Sequence, residues 1–74
     1  MIKIMLNNGF VEFEKGNKRY KCFREFNGET TIYSLYVVDA THFLRIGKPI
    51  KSESLTNINR WLALAKTEVE IEEY

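Results

Sequence analysis

Apolar and polar residues alternate along the first half of the chain, which is the pattern of half-buried β-strands. The alternating runs predict strands at about residues 2–7, 10–15, 18–26 and 29–38. Short turn sequences separate these runs: Asn8-Gly9, Gly16-Asn17 and Asn27-Gly28. Asn-Gly between two β-rich runs is a strong hairpin signal, because a type I′ turn needs positive φ at both central residues. The first 38 residues therefore predict an antiparallel meander.

Two-residue turns fix which residues lie opposite one another in such a meander. Across the second turn Val11 lies opposite Cys22, and across the third turn Cys22 lies opposite Tyr33. Across the first turn Leu6 lies opposite Val11. The three registers agree, and they gather apolar side chains on one side of the sheet, the core face: Ile4, Leu6, Val11, Phe13, Tyr20, Cys22, Tyr33, Leu35 and Val37. On the other side they pair opposite charges: Lys3 with Glu14, Glu14 with Arg19, and Glu12 with Lys21.

The other side of the sheet, the second face, combines aromatic and basic residues. By register it carries Arg19, Lys21, Phe23, Ile32, Ser34, Tyr36, Val38, Phe43 and Arg45, with Phe10 beside Phe23. From this set we predict a binding face made of Arg19, Lys21, Phe23, Tyr36, Phe43 and Arg45. Such a mixture suits a protein interface, and it also suits nucleic acid, where rings stack on bases and basic groups neutralise phosphates. Two structural interpretations compete: the sheet curls into a barrel that covers this face, or the aromatic pairs only stabilise an open sheet.

The meander ends between residues 38 and 50. Asp39-Ala40-Thr41 is turn-like, and residues 42–46 predict a further strand in which a tight loop places Arg45 opposite Tyr36. The alternative is that Asp39 caps a single helical turn. Gly47-Lys48-Pro49 then predicts a break in the sheet.

A helix is predicted over about residues 53–66, with Ser52 or Ser54 as its N-cap. Apolar residues recur there at helical spacing: Leu55, Ile58, Leu62, Ala65 and Val69. The acidic tail, residues 67–74, alternates strictly and is read either as one more edge strand or as an extension of the helix. The chain as a whole predicts one α+β domain over residues 1–74: an antiparallel meander of four to five strands, with one C-terminal helix packed on one face.

Trp61 and Leu64 widen the apolar arc of the predicted helix towards half of its circumference. One interpretation is that Trp61 wraps around the rim of the core. The other is that these two residues form the contact face of a homodimer, which would also stabilise a domain with so small a core.

Composition limits the chemistry that the chain offers. A chain of 74 residues with one cysteine, Cys22, and one histidine, His42, has neither a disulfide framework nor the ligands of a structural metal site. A Cys22–His42 catalytic pair conflicts with the core-face position of the thiol, and no glycine-rich phosphate loop is present. We therefore expect no enzyme activity, no metal and no cofactor. A lone thiol, no signal peptide and no membrane-length apolar run lead us to expect a cytoplasmic protein without a membrane partner.

The net charge is +1, but it is unevenly distributed, with +4 over residues 1–24 and −4 over the last eight. A local basic patch is therefore compatible with the small total. Frequent Ile, Lys, Asn, Phe and Tyr are typical of an AT-rich genome, and with the small size they favour an accessory protein of a phage or mobile element. We expect a small binding protein that modulates or inhibits a host protein such as a nucleic-acid enzyme. The alternative is a nucleic-acid-binding module that uses the second face.

Overall fold

The computed structural model describes residues 1–39, 44–45 and 48–73, and for Asp39, Leu44 and Arg45 it describes the backbone only. Along these residues lie β1 (Ile2–Met5), β2 (Phe10–Lys15), β3 (Lys18–Phe26), β4 (Thr31–Asp39), β5 (Leu44–Arg45), β6 (Ile50–Ser52), α1 (Leu55–Leu64) and β7 (Val69–Glu72). Strands β2, β3, β4 and β5 form an antiparallel sheet in that order, and β6 also pairs with β4. The predicted α+β fold, a meander with a single C-terminal helix, is confirmed in this part of the chain.

The β2–β3 hairpin has the predicted register. Val11 lies opposite Cys22, and Glu12 lies opposite Lys21. Gly16, the first central residue of the two-residue loop, has φ +64°, which is the positive value that a type II′ turn requires at that position. The local turn sequence was therefore sufficient to predict this pairing.

The β3–β4 register differs from the prediction by two residues, because Cys22 lies opposite Leu35 and not opposite Tyr33. The loop has four residues, 27–30, where a two-residue Asn-Gly turn was expected. Asn27 closes this loop with its side chain, since Oδ1 accepts hydrogen bonds from the N–H groups of Glu29 and Thr30, both at 2.9 Å. Such an Asx turn competes with the type I′ turn. A shift of two residues keeps every side chain on its predicted face.

The predicted place of β1 in the meander is wrong. The Asn8-Gly9 turn does form, with positive φ at both residues, and Asn7 and Phe10 exchange two backbone hydrogen bonds of 3.0 and 3.1 Å. Beyond this bridge, however, β1 leaves β2 and pairs in parallel with β7. The predicted pair of Lys3 with Glu14 is accordingly absent, and Lys3 Nζ lies 3.4 Å from Glu72 Oε1.

Two short strands occupy the far edge of β4. In β5, Arg45 lies opposite Val38 and not opposite Tyr36 as predicted, while the predicted loop at Ala40-Thr41 lies outside the described residues. Strand β6 was not predicted, because Pro49 was read as the end of the sheet. Proline is compatible with a position directly before a strand, and Ile50 lies opposite Leu35.

Helix α1 begins after Ser54, whose Oγ accepts a hydrogen bond of 3.1 Å from the N–H of Thr56. It is shorter than predicted and ends in a Schellman motif, with N–H groups of Lys66 and Thr67 bonded to carbonyls of Ala63 and Leu62. Lys66 has φ +59°, so the chain turns out of the helix there. Ala65, expected in the apolar stripe, is therefore exposed. No helix among the described residues is long and apolar enough to span a membrane.

The acidic tail forms a strand and does not extend the helix. Val69 and Ile71 are buried, with exposed fractions of 5% and 1%. On one side β7 pairs with β1, and on the other side Asn59 of α1 takes the place of a neighbouring strand. The Asn59 side chain accepts a hydrogen bond of 2.7 Å from the Ile71 N–H and donates one of 2.9 Å to the Ile71 carbonyl. Asn59 therefore joins the helix to the C-terminal strand.

The core lies between the sheet and the layer formed by α1, β1 and β7. Its buried residues are Leu6, Val11, Tyr20, Cys22, Leu35, Val37, Ile58, Leu62 and Ile71, and Ile4, Phe13, Tyr33, Ile50, Leu55 and Trp61 pack against them. All nine residues predicted for the core face belong to this set. The two-residue period of the strands was therefore read correctly.

Asn59→Ala is expected to destabilise the fold by about 2–3 kcal/mol, because both backbone polar groups of Ile71 lose their partner at a half-buried site. Asn57→Ala is the matched control: its amide makes one exposed hydrogen bond, to Ser52 Oγ, so the loss should stay below about 1 kcal/mol. Urea unfolding measures both values. Equal losses in the two variants would contradict the role given to Asn59.

Candidate binding face of the sheet

The two faces of the sheet differ in what covers them. Helix α1 and β7 pack on the core face, where Cys22 and Leu35 are 0% and 1% exposed. No described helix or strand packs on the second face, and the described strands form an open sheet with β2 at one edge and β5 and β6 at the other. The barrel interpretation is therefore wrong for this part of the chain.

Three aromatic rings form a row across the second face. The ring centroids of Phe10 and Phe23 are 5.1 Å apart with the planes tilted by 50°, and those of Phe23 and Tyr36 are 5.6 Å apart with the planes at 88°. The second contact is an edge-to-face arrangement, which the ring quadrupoles favour. Each of the three rings comes from a different strand, so the row spans β2, β3 and β4.

A shallow groove of about 270 Å³ runs between β3 and β4 on this face. Its lining consists of Lys21, Phe23, Glu25, Tyr36 and Val38. Ser34 lies opposite Phe23 in the register and is fully buried, and its Oγ makes no hydrogen bond to any described residue. The groove therefore combines two aromatic rings with a lysine and a glutamate in its lining.

Carboxylates neutralise the basic residues beside the aromatic row. Arg19 Nη2 lies 2.6 Å from Glu14 Oε1, and Arg19 Nε lies 3.5 Å from Glu12 Oε1. The hydrogen bond to Glu14 raises the pKa of the Arg19 guanidinium above its ordinary value. Lys21 Nζ lies 3.8 Å from Glu12 Oε2. The pairs predicted between Glu14 and Arg19 and between Glu12 and Lys21 are confirmed, and they leave the face far less basic than its Lys and Arg residues imply.

Four of the six predicted site residues lie together on the second face: Arg19, Lys21, Phe23 and Tyr36. The backbone of Arg45 lies opposite Val38 at the edge of the same face, and Phe43 lies outside the described residues. Sequence reasoning missed Glu25 as part of the groove. Its alternation with Phe23 and Lys21 along β3 was the signal that could have found it.

The two helix residues predicted as a dimer face differ in their exposure. Trp61 is half-buried and packs against the core, as the rim interpretation expects. Leu64 is 76% exposed. Of these two residues, the helix therefore presents only Leu64 as a largely exposed apolar side chain, because Trp61 packs against the core.

The only thiol of the chain is poorly placed for chemistry. Burial, followed by the negative charge of Glu73, raises the pKa of Cys22 from 9.0 to about 11. Glu73 itself accepts a hydrogen bond of 2.6 Å from the Tyr33 hydroxyl and pairs with Arg24, which fixes the C-terminal end of the chain to the sheet. The predicted partner of the thiol, His42, lies outside the described residues. Among the described residues no three His, Cys, Asp or Glu side chains are grouped as a metal site requires.

Comparisons of the chain with protein-family models, with curated proteins and with solved structures found no match. The chemistry of the second face is therefore the basis on which a function is inferred. That face offers aromatic surface, a groove and balanced charges.

Cys22 is expected to react with iodoacetamide much more slowly in the native protein than in urea, because its thiol is buried and protonated at neutral pH. The raised pKa also predicts a stability loss at high pH. The thiol contributes stability below its unfolded pKa of 9.0, and this contribution disappears as the pH rises through its folded pKa of about 11. Native alkylation at the unfolded rate would contradict the buried position.

Proposed function

We propose that this protein is a small, non-enzymatic binding protein that holds another protein on the second face of its sheet. The row of Phe10, Phe23 and Tyr36 on a face that no described element covers is the observation that carries this proposal. Aromatic side chains supply much of the binding energy of protein interfaces, particularly near their centres. The charged residues lie beside the row, as in the polar rim of an interface.

The biological setting that we propose is a phage or mobile element, with a host protein as the target and the cytoplasm as the compartment. The support is compositional: small size and frequent use of Ile, Lys, Asn, Phe and Tyr. We propose that binding modulates or inhibits the host protein, and a nucleic-acid enzyme is the class of target we favour.

Nucleic-acid binding is the second candidate, and the three rings favour it because rings stack on bases. The charges of the same face argue against it. A phosphate bound at Arg19 would have to displace Glu14, which lies 2.6 Å from the guanidinium, and would meet Glu12 close by. Protein is therefore the better supported partner.

Capture from a bacterial lysate tests the protein-binding role. The tagged protein should retain one specific host protein, and Phe10→Ala or Tyr36→Ala should abolish this capture because each removes a ring of the row. Leu64→Ala, at an exposed helix position away from the sheet, is the control and should leave capture intact. Capture that survives both ring variants would show that the second face is the wrong surface.

An oligonucleotide titration tests the second candidate function, nucleic-acid binding. We expect no saturable binding of a labelled single strand at low salt, because Arg19 and Lys21 beside the aromatic row are paired with carboxylates. Fluorescence anisotropy at several salt concentrations measures this. Tight binding that weakens steeply with salt would reveal phosphate contacts and would favour the nucleic-acid role.

A further inference from the structure

The second-face residues of β3 form a sequence that is complementary to its own reverse. Lys21, Phe23 and Glu25 follow one another at every second position, so a positive and a negative group stand about 13 Å apart with a ring between them. Read in the opposite direction, the order is acidic, aromatic, basic. Two copies of this strand, stacked face to face and antiparallel, would therefore bring each lysine to a glutamate.

The neighbouring strand, β4, has a compatible pattern of side chains centred on the residue opposite Phe23. Ser34 of β4 lies opposite Phe23, with Ile32 two residues before it and Tyr36 two residues after it. In the same antiparallel stacking, Tyr36 of one copy lies over Ile32 of the other. The small Ser34 side chain at the centre is fully buried, so its neighbours, Phe23 among them, form the surface there. The contacts of β3 and β4 are thus satisfied by one arrangement.

We propose that the second face binds a second copy of this chain, about a two-fold axis that passes near Phe23 and runs across the strands. The arrangement is isologous, so each contact between Lys21 and Glu25 is made twice, and each Lys21 exchanges its 3.8 Å contact with Glu12 for it. The described part of the face carries three acidic residues, Glu12, Glu14 and Glu25, and three basic residues, Arg19, Lys21 and Lys51. The charges of the two faces balance in number, and the like-charged contact that the axis creates is Lys51, which lies opposite Ser34, against its own copy at the rim. This proposal rests on the proposed function, because it names a partner for the same face.

Two other surfaces fit a second copy less well. The edge of β2 carries Glu12 and Glu14, and an antiparallel pair of such edges centred on Phe13 would set Glu12 opposite Glu14. Helix α1 offers Leu64, while Trp61 packs mostly against the core. Charge complementarity therefore favours the second face as the self-association surface.

The size of the face predicts a weak dimer. From Arg19 to Glu25 the strand spans about 20 Å, and the four strands β2, β3, β4 and β6 span about 14 Å. These two lengths enclose about 280 Å², which is smaller than the interface of about 800 Å² per partner that stable complexes bury. The dimer should therefore exchange with monomer, which leaves the face accessible to another protein.

Charge reversal tests this arrangement, with sedimentation velocity over a concentration series as the measurement. Lys21→Glu and Glu25→Lys should each weaken dimerisation roughly tenfold or more, since each sets two pairs of like charges face to face. The double variant Lys21→Glu/Glu25→Lys should dimerise as the original chain does. The two single variants, when mixed, should form a heterodimer. Both residues have substantial exposure, and circular dichroism checks that each variant is folded.

A chain that stays monomeric at all concentrations would overturn the proposal, and so would single variants that dimerise as well as the original. Leu64→Glu is the control for the helix: loss of the dimer in that variant, with no effect of Lys21→Glu, would place the contact on α1. The dimerisation result can be distinguished from the result of the host-capture experiment. A monomeric chain whose capture of a host protein depends on Tyr36 overturns only the dimer, and a charge-dependent dimer that captures no host protein overturns only the proposed function.

Discussion

The alternation of side chains along β3 is the constraint on which the rest of the structure depends. This strand is paired on both sides, so each of its residues must face either the helix layer or the second face. Tyr20 and Cys22 take the first direction and are buried, whereas Lys21 and Phe23 take the second. A slip of one residue would place Lys21 in the core at a cost of several kcal/mol. The same constraint that secures the core therefore also sets the composition of the second face.

Strands β1 and β7, the first and last strands of the structure, help to cover the core face. Strand β7 brings Val69 and Ile71 to the core, and it is held by β1 on one side and by Asn59 on the other. Glu73 adds hydrogen-bonded contacts to Tyr33 and Arg24 of the main sheet. With helix, β1 and β7 together on one side, the described part of the chain has no element left to cover the other. Among the described elements, none therefore packs over the rings of the second face.

The sequence was sufficient to predict which side chains share each face of the sheet, but it was insufficient to predict the order of the strands. Cys22 and Leu35 could be assigned to the core because side-chain parity survives a register error of two residues, such as the one that the Asn27 side chain causes. The pairing of β1 with β7 could not be found, because it joins segments far apart in the chain and no turn sequence marks it. In the candidate site, Arg19 and its neighbours could be assigned to the second face from the alternation of side chains along the strands. Their neutralisation follows from the predicted ion pairs with Glu12 and Glu14. The face is therefore less basic than its Lys and Arg residues imply.

The second face, and not the helix, is the surface on which we propose that this protein binds another chain. Amide chemical shifts followed by NMR through a dilution series test it most directly, because they locate the contact residue by residue. We expect concentration-dependent shifts at Lys21, Phe23 and Glu25 of β3 and at the facing positions of β4, with the amides of α1 unchanged. Shifts confined to α1 around Leu64, or spectra that do not change with concentration, would contradict self-association through the second face.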